Sequence, residues 1–224
     1  LSIAELTEKV QHGDLVYFYF SGHGDVESKV LIQNAYLLPY DAPNYVYASG
    51  AISVVLLKDY LATISGKNAE LIFISDACHS GKLAGGTDGM TNAANALKGQ
   101  WKDEIKILSC EPNELSLEGK QWGGGRGLFS YELINAMAGA ADKNNDANVT
   151  LRELSLYMTE KVPEEAHPVN QNPILSGDMT LIVSHTNNNF LTKRSKNDNT
   201  LFAAIETKGF EESFLKKLPD SIQH

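Results

Sequence analysis

The feature that most constrains the fold is the segment 71–81, where an apolar run ends abruptly in a small, polar turn. Its sequence is Leu-Ile-Phe-Ile-Ser-Asp-Ala-Cys-His-Ser-Gly. Short runs that are apolar on both faces are typical of central strands in a parallel sheet covered by helices. Because ligands of such sheets bind beyond the carboxyl ends of the strands, the segment predicts a strand that delivers Cys78 to a reactive edge.

A second segment, 15–24, has the same design. An apolar and aromatic run over 15–20 is followed by Ser-Gly-His-Gly, so a strand end is expected to deliver His23 as well. If the two strands are parallel neighbours, His23 and Cys78 leave the sheet at one edge, where an imidazole can activate a thiol as a nucleophile. Taken singly, Cys78 also fits an inert buried cysteine, and the Gly-His-Gly segment also fits a simple tight turn.

Periodicity and capping residues predict the remaining elements. Helices are expected at the start of the chain after Ser2, over 54–64 after Ser53, over 128–137, and over 151–162 after Thr150. Further strands are expected over 105–110 and 179–183. Strands alternating with helices predict an α/β fold.

The two polar motifs together resemble a known family. Ser-Gly-His-Gly at 21–24 and Asp-Ala-Cys-His-Ser-Gly at 76–81 are similar to the paired motifs of metacaspases and bacterial caspase-like peptidases, the orthocaspases. In caspases the histidine lies about 50 residues before the cysteine, and here the separation is 78 − 23 = 55 residues. The resemblance covers about 14–183.

The resemblance implies a caspase-like three-layer sandwich with a mostly parallel sheet, and a catalytic domain over 1–184. The strand over 15–20 is normally the third of that fold. The resemblance therefore implies that the preceding strand–helix–strand unit lies outside this sequence, and that such an upstream piece of the same catalytic domain is a partner. Residues 185–224 read as a linker and an amphipathic tail of unknown role.

The resemblance also implies a cysteine endopeptidase that works with a His/Cys dyad. Cys78 would attack the substrate carbonyl carbon, and His23 would move the proton to the leaving amine. The backbone N–H groups of Gly24 and Cys78 would form the oxyanion hole. The main alternative is a catalytically silent caspase-like module that serves as a scaffold or interaction domain.

Asp76 occupies the place where caspases that prefer aspartate carry a glutamine. The resemblance implies cleavage after Arg or Lys, and a bidentate pair with the carboxylate would favour Arg. Glu111 and Glu114 are expected to add negative charge near the substrate. The alternatives are that Asp76 caps the end of its strand and holds the cysteine turn, and that the two glutamates are solvated turn residues.

The segment 82–100 is rich in Gly, Ala, Asn and Thr, which predicts a flexible loop. In the resembling family this region separates the large and small catalytic pieces and is often cleaved by the enzyme itself. Lys82 and Lys98 are therefore candidate autocleavage positions. A plain exposed loop that is never cut is the alternative.

The segment 142–153 matches the oxygen positions of an EF-hand calcium loop. The candidate calcium ligands are Asp142, Asn144, Asp146, Asn148, Thr150 and Glu153. The loop carries Ala147 where the sharp turn calls for glycine, which should weaken binding. The alternatives are that Asp and Asn residues build a tight turn and that Thr150 caps the next helix, or that the chain is a calcium-binding regulatory domain.

Composition limits the partners and the compartment. With 19 basic and 28 acidic residues, the formal net charge is −9, so we expect no nucleic-acid or membrane partner and favour peptide or protein substrates with a basic residue. Two cysteines do not imply a disulfide framework, which favours a reducing, cytoplasmic compartment. We expect no required cofactor, and calcium is the one candidate ion.

Overall fold

A six-stranded mixed sheet forms the centre of the computed structural model, which describes residues 2–27, 31, 34–43, 46–78, 86–98, 104–112 and 114–186. Side chains at 78 and 86–90 lie outside this description. The strands in chain order are β1 (Leu15–Val26), β2 (Ala35–Leu38), β3 (Ile52–Ser53), β4 (Glu70–Cys78), β5 (Ile105–Leu108), β6 (Glu118–Gly119), β7 (Arg126–Gly127), β8 (Asn148–Thr150), β9 (Ile174–Ser176) and β10 (Ile182–His185).

The sheet order is β3-β2-β1-β4-β5-β9. The three central strands β1, β4 and β5 run parallel, whereas β2, β3 and β9 pair antiparallel with their neighbours. The expected mostly parallel sheet is therefore found only at the centre. The flanks differ because β2 follows β1 through a short connection, which forces the chain to reverse.

Helices cover both faces of the sheet. They are α1 (Ile3–Lys9), α2 (Val54–Ser65), α3 (Gly86–Lys98), α4 (Leu128–Asn135), which continues into a π-helical turn over Ala136–Ala140, and α5 (Leu151–Ala166). Residues of α1, α2 and α3 pack on one face with Leu71 and Phe73 of β4, and residues of α4 and α5 pack on the other with Ile72 and Ile74. This alternation along one buried strand confirms the three-layer α/β fold.

Strand β1 is longer than its apolar run predicts. It does not break after Phe20 but continues to Val26, and at His23 its pairing passes from β4 to β2. The prediction of a strand end is wrong because the apolar pattern stops where the chain begins to pair with the hairpin strand β2. His23 is thus held inside a strand with a partner on each side.

Helix α3 corrects the predicted flexible loop over 82–100. Residues 86–98 are helical, and Ala93 and Leu97 are buried against the sheet. These two residues are four apart and share one helix face. Gly24 of β1 lies beneath α3, and a Cβ at that position would be 3.4 Å from the Ala93 Cβ, an ordinary van der Waals distance. Lys82 lies outside the described residues.

The last expected strand lies outside the main sheet. The strand expected over 179–183 is β10, which pairs with β8 in a separate two-stranded sheet, while β9 forms the edge of the main sheet. From residue 187 onwards the expected linker and tail lie outside the described residues, so the domain boundary near 184 stays a prediction. In the described ranges, no helix has the length and apolar character needed to cross a membrane.

The first half of β1 has an edge to which no other described strand is bonded. Glu70 N–H donates to Asp14 O, so the even-numbered residues of β1 direct their backbone groups toward β4, and the odd-numbered ones point the other way. Among the described residues, no strand pairs with this other edge over 15–22. A cavity of about 500 Å³ lies nearby and is lined by apolar residues that include Ile3, Phe18 and Leu57.

Candidate active site

The pairing of β1 with β4 brings the two motif residues together. Nine consecutive pairs run from Leu15 opposite Glu70 to His23 opposite Cys78. Neighbouring strands lie about 4.8 Å apart, and residues that pair across parallel strands share a face of the sheet. His23 and Cys78 therefore occupy adjacent positions at the end of the ladder, on the face covered by α4 and α5.

Gly24 directs its backbone N–H toward this same place. Glu27 N–H donates to Asn34 O, so the odd-numbered residues in this part of β1 bond to β2. Backbone groups alternate along a strand, and the N–H of Gly24 consequently points toward β4 beside Cys78. This direction agrees with the expected oxyanion-hole position, whose role stays a prediction.

Asp76 is buried two residues before Cys78 and is only 3% exposed. The Ser116 hydroxyl donates to its Oδ1 at 2.7 Å, and the Ser130 hydroxyl donates to its Oδ2. The Ser130 backbone N–H also hydrogen-bonds to this carboxylate. A buried carboxylate needs such donors because each unpaired oxygen would lose the hydrogen bonds that water supplies.

The Asp76 carboxylate takes the place of an N-cap for α4. The N-cap residue of this helix is Gly127, which has no side chain to accept from the first turn. A Cβ on Gly127 would lie 2.6 Å from Asp76 Oδ2, so the glycine leaves the space that the carboxylate fills. Asp76 therefore accepts from Ser130 in the first turn of α4 while belonging to the strand that ends in Cys78.

Burial raises the pKa of Asp76 above its ordinary value, and the hydrogen bonds from Ser130 and Ser116 act in the opposite direction. The nearby Glu118 carboxylate raises the pKa further by like-charge repulsion. Burial is the largest of these effects, so the charged form of Asp76 is destabilised. A nearby cation would offset this destabilisation.

Glu118 is a second carboxylate near Asp76, and no sequence pattern indicates it. It lies on β6 opposite Gly127 on β7, and cross-strand positions in antiparallel pairs point to the same side. Because the missing Cβ of Gly127 points at Asp76, Glu118 falls on the same side of the ribbon. Its sequence signal is weak, since an exposed glutamate in a two-residue strand has no periodicity to mark it.

The predicted substrate-binding residues Glu111 and Glu114 are engaged with other side chains. Glu111 pairs with Lys98 Nζ at 2.5 Å. Glu114 accepts from the Asn172 backbone N–H at 2.6 Å and from the Asn172 side chain. These contacts connect the turn after β5 with α3 and with the segment before β9. A role of either glutamate in substrate binding stays a prediction.

Lys98 lies in the last turn of α3 rather than in a loop. Its side chain pairs with Glu111, and its carbonyl oxygen accepts from Lys106 Nζ at 2.9 Å. Proteolysis acts most readily on exposed, irregular segments. Autocleavage after Lys98 stays a prediction and would require this turn to unwind.

The segment 142–153 forms a tight turn followed by a capped helix. Asp142 accepts from the N–H groups of Asp146 and Ala147, and Asp146 accepts from the N–H of Asn148. Thr150 and Glu153 form the capping box of α5. Within the described ranges, no group of three or more His, Cys, Asp or Glu residues is arranged to hold a metal ion. The calcium site stays a prediction.

Most of the chain matches the model of a known protein family. A family model described as the caspase domain matches residues 2–183, which is 182 of the 224 residues. No curated protein matches the chain. The matched range contains His23, Cys78, Asp76 and the whole of the described sheet.

We expect Ala147→Gly to raise the free energy of unfolding by about 1 kcal/mol. Ala147 has φ +67°, in the left-handed region, which costs an L-residue about 1–2 kcal/mol. Glycine removes that cost but loses more backbone entropy on folding. The matched control is Ala62→Gly, at an exposed position inside α2, which should lower stability by about 1 kcal/mol. Equal losses in denaturant unfolding of the two variants would contradict the prediction.

In the wild type, the Asp76 carboxyl should make the free energy of unfolding fall as pH rises. Asp76→Asn should abolish this fall. An acid whose pKa is higher in the folded state binds more protons there than in the unfolded state. The free energy of unfolding therefore falls as pH rises from the ordinary value of 3.8 through the folded pKa. Denaturant unfolding at a series of pH values should show this fall in the wild type and not in the variant.

Asp178→Asn is the matched control, and its effect on the slope of stability against pH should have the opposite sign. Hydrogen bonds from Thr180 hold the pKa of Asp178 below its ordinary value, so its contribution is present above 3.8 and is lost as pH falls. The two variants should therefore change the slope of stability against pH in opposite directions. Slopes that change in the same direction would show that Asp76 is not destabilised by burial.

Proposed function

Because the chain belongs to the caspase domain family, a family of cysteine peptidases, we propose that it is an endopeptidase that cleaves after Arg and Lys. In this proposal Cys78 is the nucleophile and His23 moves the proton. The observation that carries it is the strand register that pairs His23 with Cys78. Each residue needs the other for this chemistry, since a thiol alone is a weak nucleophile at neutral pH.

The reaction has two steps. The Cys78 thiolate attacks the carbonyl carbon, the peptide C–N bond breaks, and His23 gives its proton to the leaving amine. His23 then takes a proton from water, which attacks the thioester and releases the carboxylic acid and the thiolate. The N–H of Gly24 and the N–H of Cys78 would stabilise the oxyanion in both steps. The direction of the Gly24 amide supports this assignment.

The buried Asp76 carboxylate supports a preference for basic residues. It lies on the same face as Cys78, and the nearby Glu118 adds a second negative charge. A cation that reached Asp76 would offset the cost of burying its charge. An acidic side chain would meet repulsion from both carboxylates.

The test is the initial rate of cleavage of matched fluorogenic peptides that end in Arg, Lys or Asp, with and without calcium. We expect kcat/KM for the basic peptides to fall at least about 1,000-fold in Cys78→Ala and in His23→Ala. Asp76→Ala should cost about 100-fold or more, because the buried partner of the cation is lost. Cys110→Ala is the matched control, since this buried thiol bonds to Glu114 O near the end of β5.

Three outcomes would change the proposal. Cleavage after Asp would overturn the role of Asp76 and leave the dyad in place. Full activity in Cys78→Ala would overturn the dyad. No cleavage by the folded chain, with its upstream piece present and in either calcium condition, would favour the catalytically silent scaffolding module. A rate that rises with calcium would show that the ion activates the peptidase.

We also infer that the open edge of β1 pairs with a strand from an upstream piece of the same catalytic domain. The backbone groups of Leu15, Tyr17, Tyr19 and Ser21 point to this edge. Tyr17 and Tyr19 are 42% and 51% exposed, and the apolar cavity lies nearby. An added strand would satisfy the backbone groups and cover apolar surface at once.

Hydrogen exchange tests this pairing. In residues 1–224 alone, the amides of Tyr17 and Tyr19 should exchange rapidly, and the upstream piece should slow them at least about tenfold. The amides of Phe18 and Phe20 face β4 and should be protected in both samples, which makes them the internal control. Equal protection of all four amides in residues 1–224 alone would contradict the inference.

A further inference from the structure

Hydrogen-bond donors already occupy most of the Asp76 carboxylate. The Ser116 hydroxyl donates to Oδ1 and the Ser130 hydroxyl to Oδ2, and the Ser130 N–H bonds to the same group. An ionised carboxylate offers about four acceptor positions, two on each oxygen. These three donors therefore leave at most one position for a substrate.

Neighbouring groups fix both hydroxyls in place. The Tyr19 hydroxyl lies 2.8 Å from the Ser130 hydroxyl and must donate to it, because the Ser130 proton goes to Asp76. On the other side, Gln171 Nε2 donates to the Ser116 hydroxyl at 3.2 Å, so the Ser116 proton is also directed at Asp76.

Gln171 cannot turn away without leaving buried groups unpaired. It is fully buried, and it bonds to Ser109 O at 3.1 Å and accepts from Leu117 N–H at 2.9 Å. Losing such partners in a buried site costs about 1–3 kcal/mol for each group. The two serine hydroxyls are therefore held in their hydrogen bonds to Asp76.

This arrangement has a consequence for the choice between Arg and Lys. A guanidinium fork needs one open position on each carboxylate oxygen, whereas an ammonium needs only one position in total. We propose that Ser116 and Ser130 set the selectivity of the site by limiting Asp76 to a single hydrogen bond with the substrate cation, so that Arg and Lys bind comparably. This inference rests on the proposed function, and it replaces the bidentate pairing that the sequence suggested.

Gly127 leaves the space that Oδ2 fills, since a Cβ at this position would lie 2.6 Å from that oxygen. Glu118 lies opposite Gly127 in the ribbon and adds negative charge near the carboxylate. In this proposal the substrate cation takes the one remaining acceptor position of Asp76, and Glu118 adds to the negative potential that the cation meets.

The test measures binding rather than cleavage. Short peptides that end in Arg or in Lys are titrated calorimetrically into the Cys78→Ala chain, with its upstream piece present, and the ratio of their dissociation constants is recorded. In the double variant Ser116→Ala/Ser130→Ala, the Ser130 N–H is the one donor to Asp76 that remains among the described residues, so each oxygen has at least one open position. We expect the ratio to shift about tenfold in favour of Arg, the effect of one added charge-assisted hydrogen bond.

Two further variants separate selectivity from stability. Ser130→Thr keeps the hydroxyl and should keep the parental ratio, while Ser49→Ala removes an exposed hydroxyl that bonds only to Val46 O among the described residues. Ser130→Ala alone should shift the ratio in the same direction and serves if the double variant folds poorly. A purely structural role would weaken both peptides equally and leave the ratio unchanged.

The outcomes for the two proposals can be told apart. An unchanged ratio in the double variant, a parent that already strongly prefers Arg, or a parent that binds neither peptide would overturn the selectivity role. Cleavage with an unchanged ratio would leave the peptidase proposal standing. The expected shift in binding, without cleavage by the Cys78-containing chain, would overturn the peptidase proposal and leave the cation site.

Discussion

The parallel pairing of β1 with β4 is the constraint on which the rest of the structure depends. It sets His23 opposite Cys78 and Ser21 opposite Asp76, and a slip of one residue would pair His23 with Ala77. Such a slip would also move every side chain of one strand to the other face. The helix layers oppose it, because Leu71 and Phe73 are buried on one face and Ile72 and Ile74 on the other. The core therefore fixes the geometry of the candidate dyad.

The sequence predicted the parts of the fold that depend on local patterns. The apolar runs identified the cores of β1, β4 and β5, and helical spacing with a capping serine or threonine identified α1, α2 and α5. These elements have strong signals because burial and capping both act within a few residues of the chain. The placement of His23 and Cys78 on neighbouring parallel strands followed from the same apolar runs, whereas the expected end of β1 before His23 did not hold.

The parts that were missed depend on contacts between distant residues. Helix α3 has few large apolar residues, and it packs on the sheet through Ala93 and Leu97. The continuation of β1 beyond His23 requires β2 as a partner. Ser116, Ser130 and Glu118 come together only when β4, the β6–β7 ribbon and α4 are in place. No periodicity marks such residues, since each one is ordinary in its own segment.

If Asp76 binds the substrate cation as proposed, its second use as a cap of α4 limits how this protein can change its specificity. Reversing the charge at position 76 would deprive α4 of the carboxylate that stands in for its missing cap. A replacement cap at position 127 would need a side chain, and that side chain has no room while Asp76 is present. A descendant that prefers acidic substrates would thus have to alter both positions together, since either change alone passes through a less stable intermediate. In the proposed function, the space of one methyl group at Gly127 thus couples substrate preference to the start of α4.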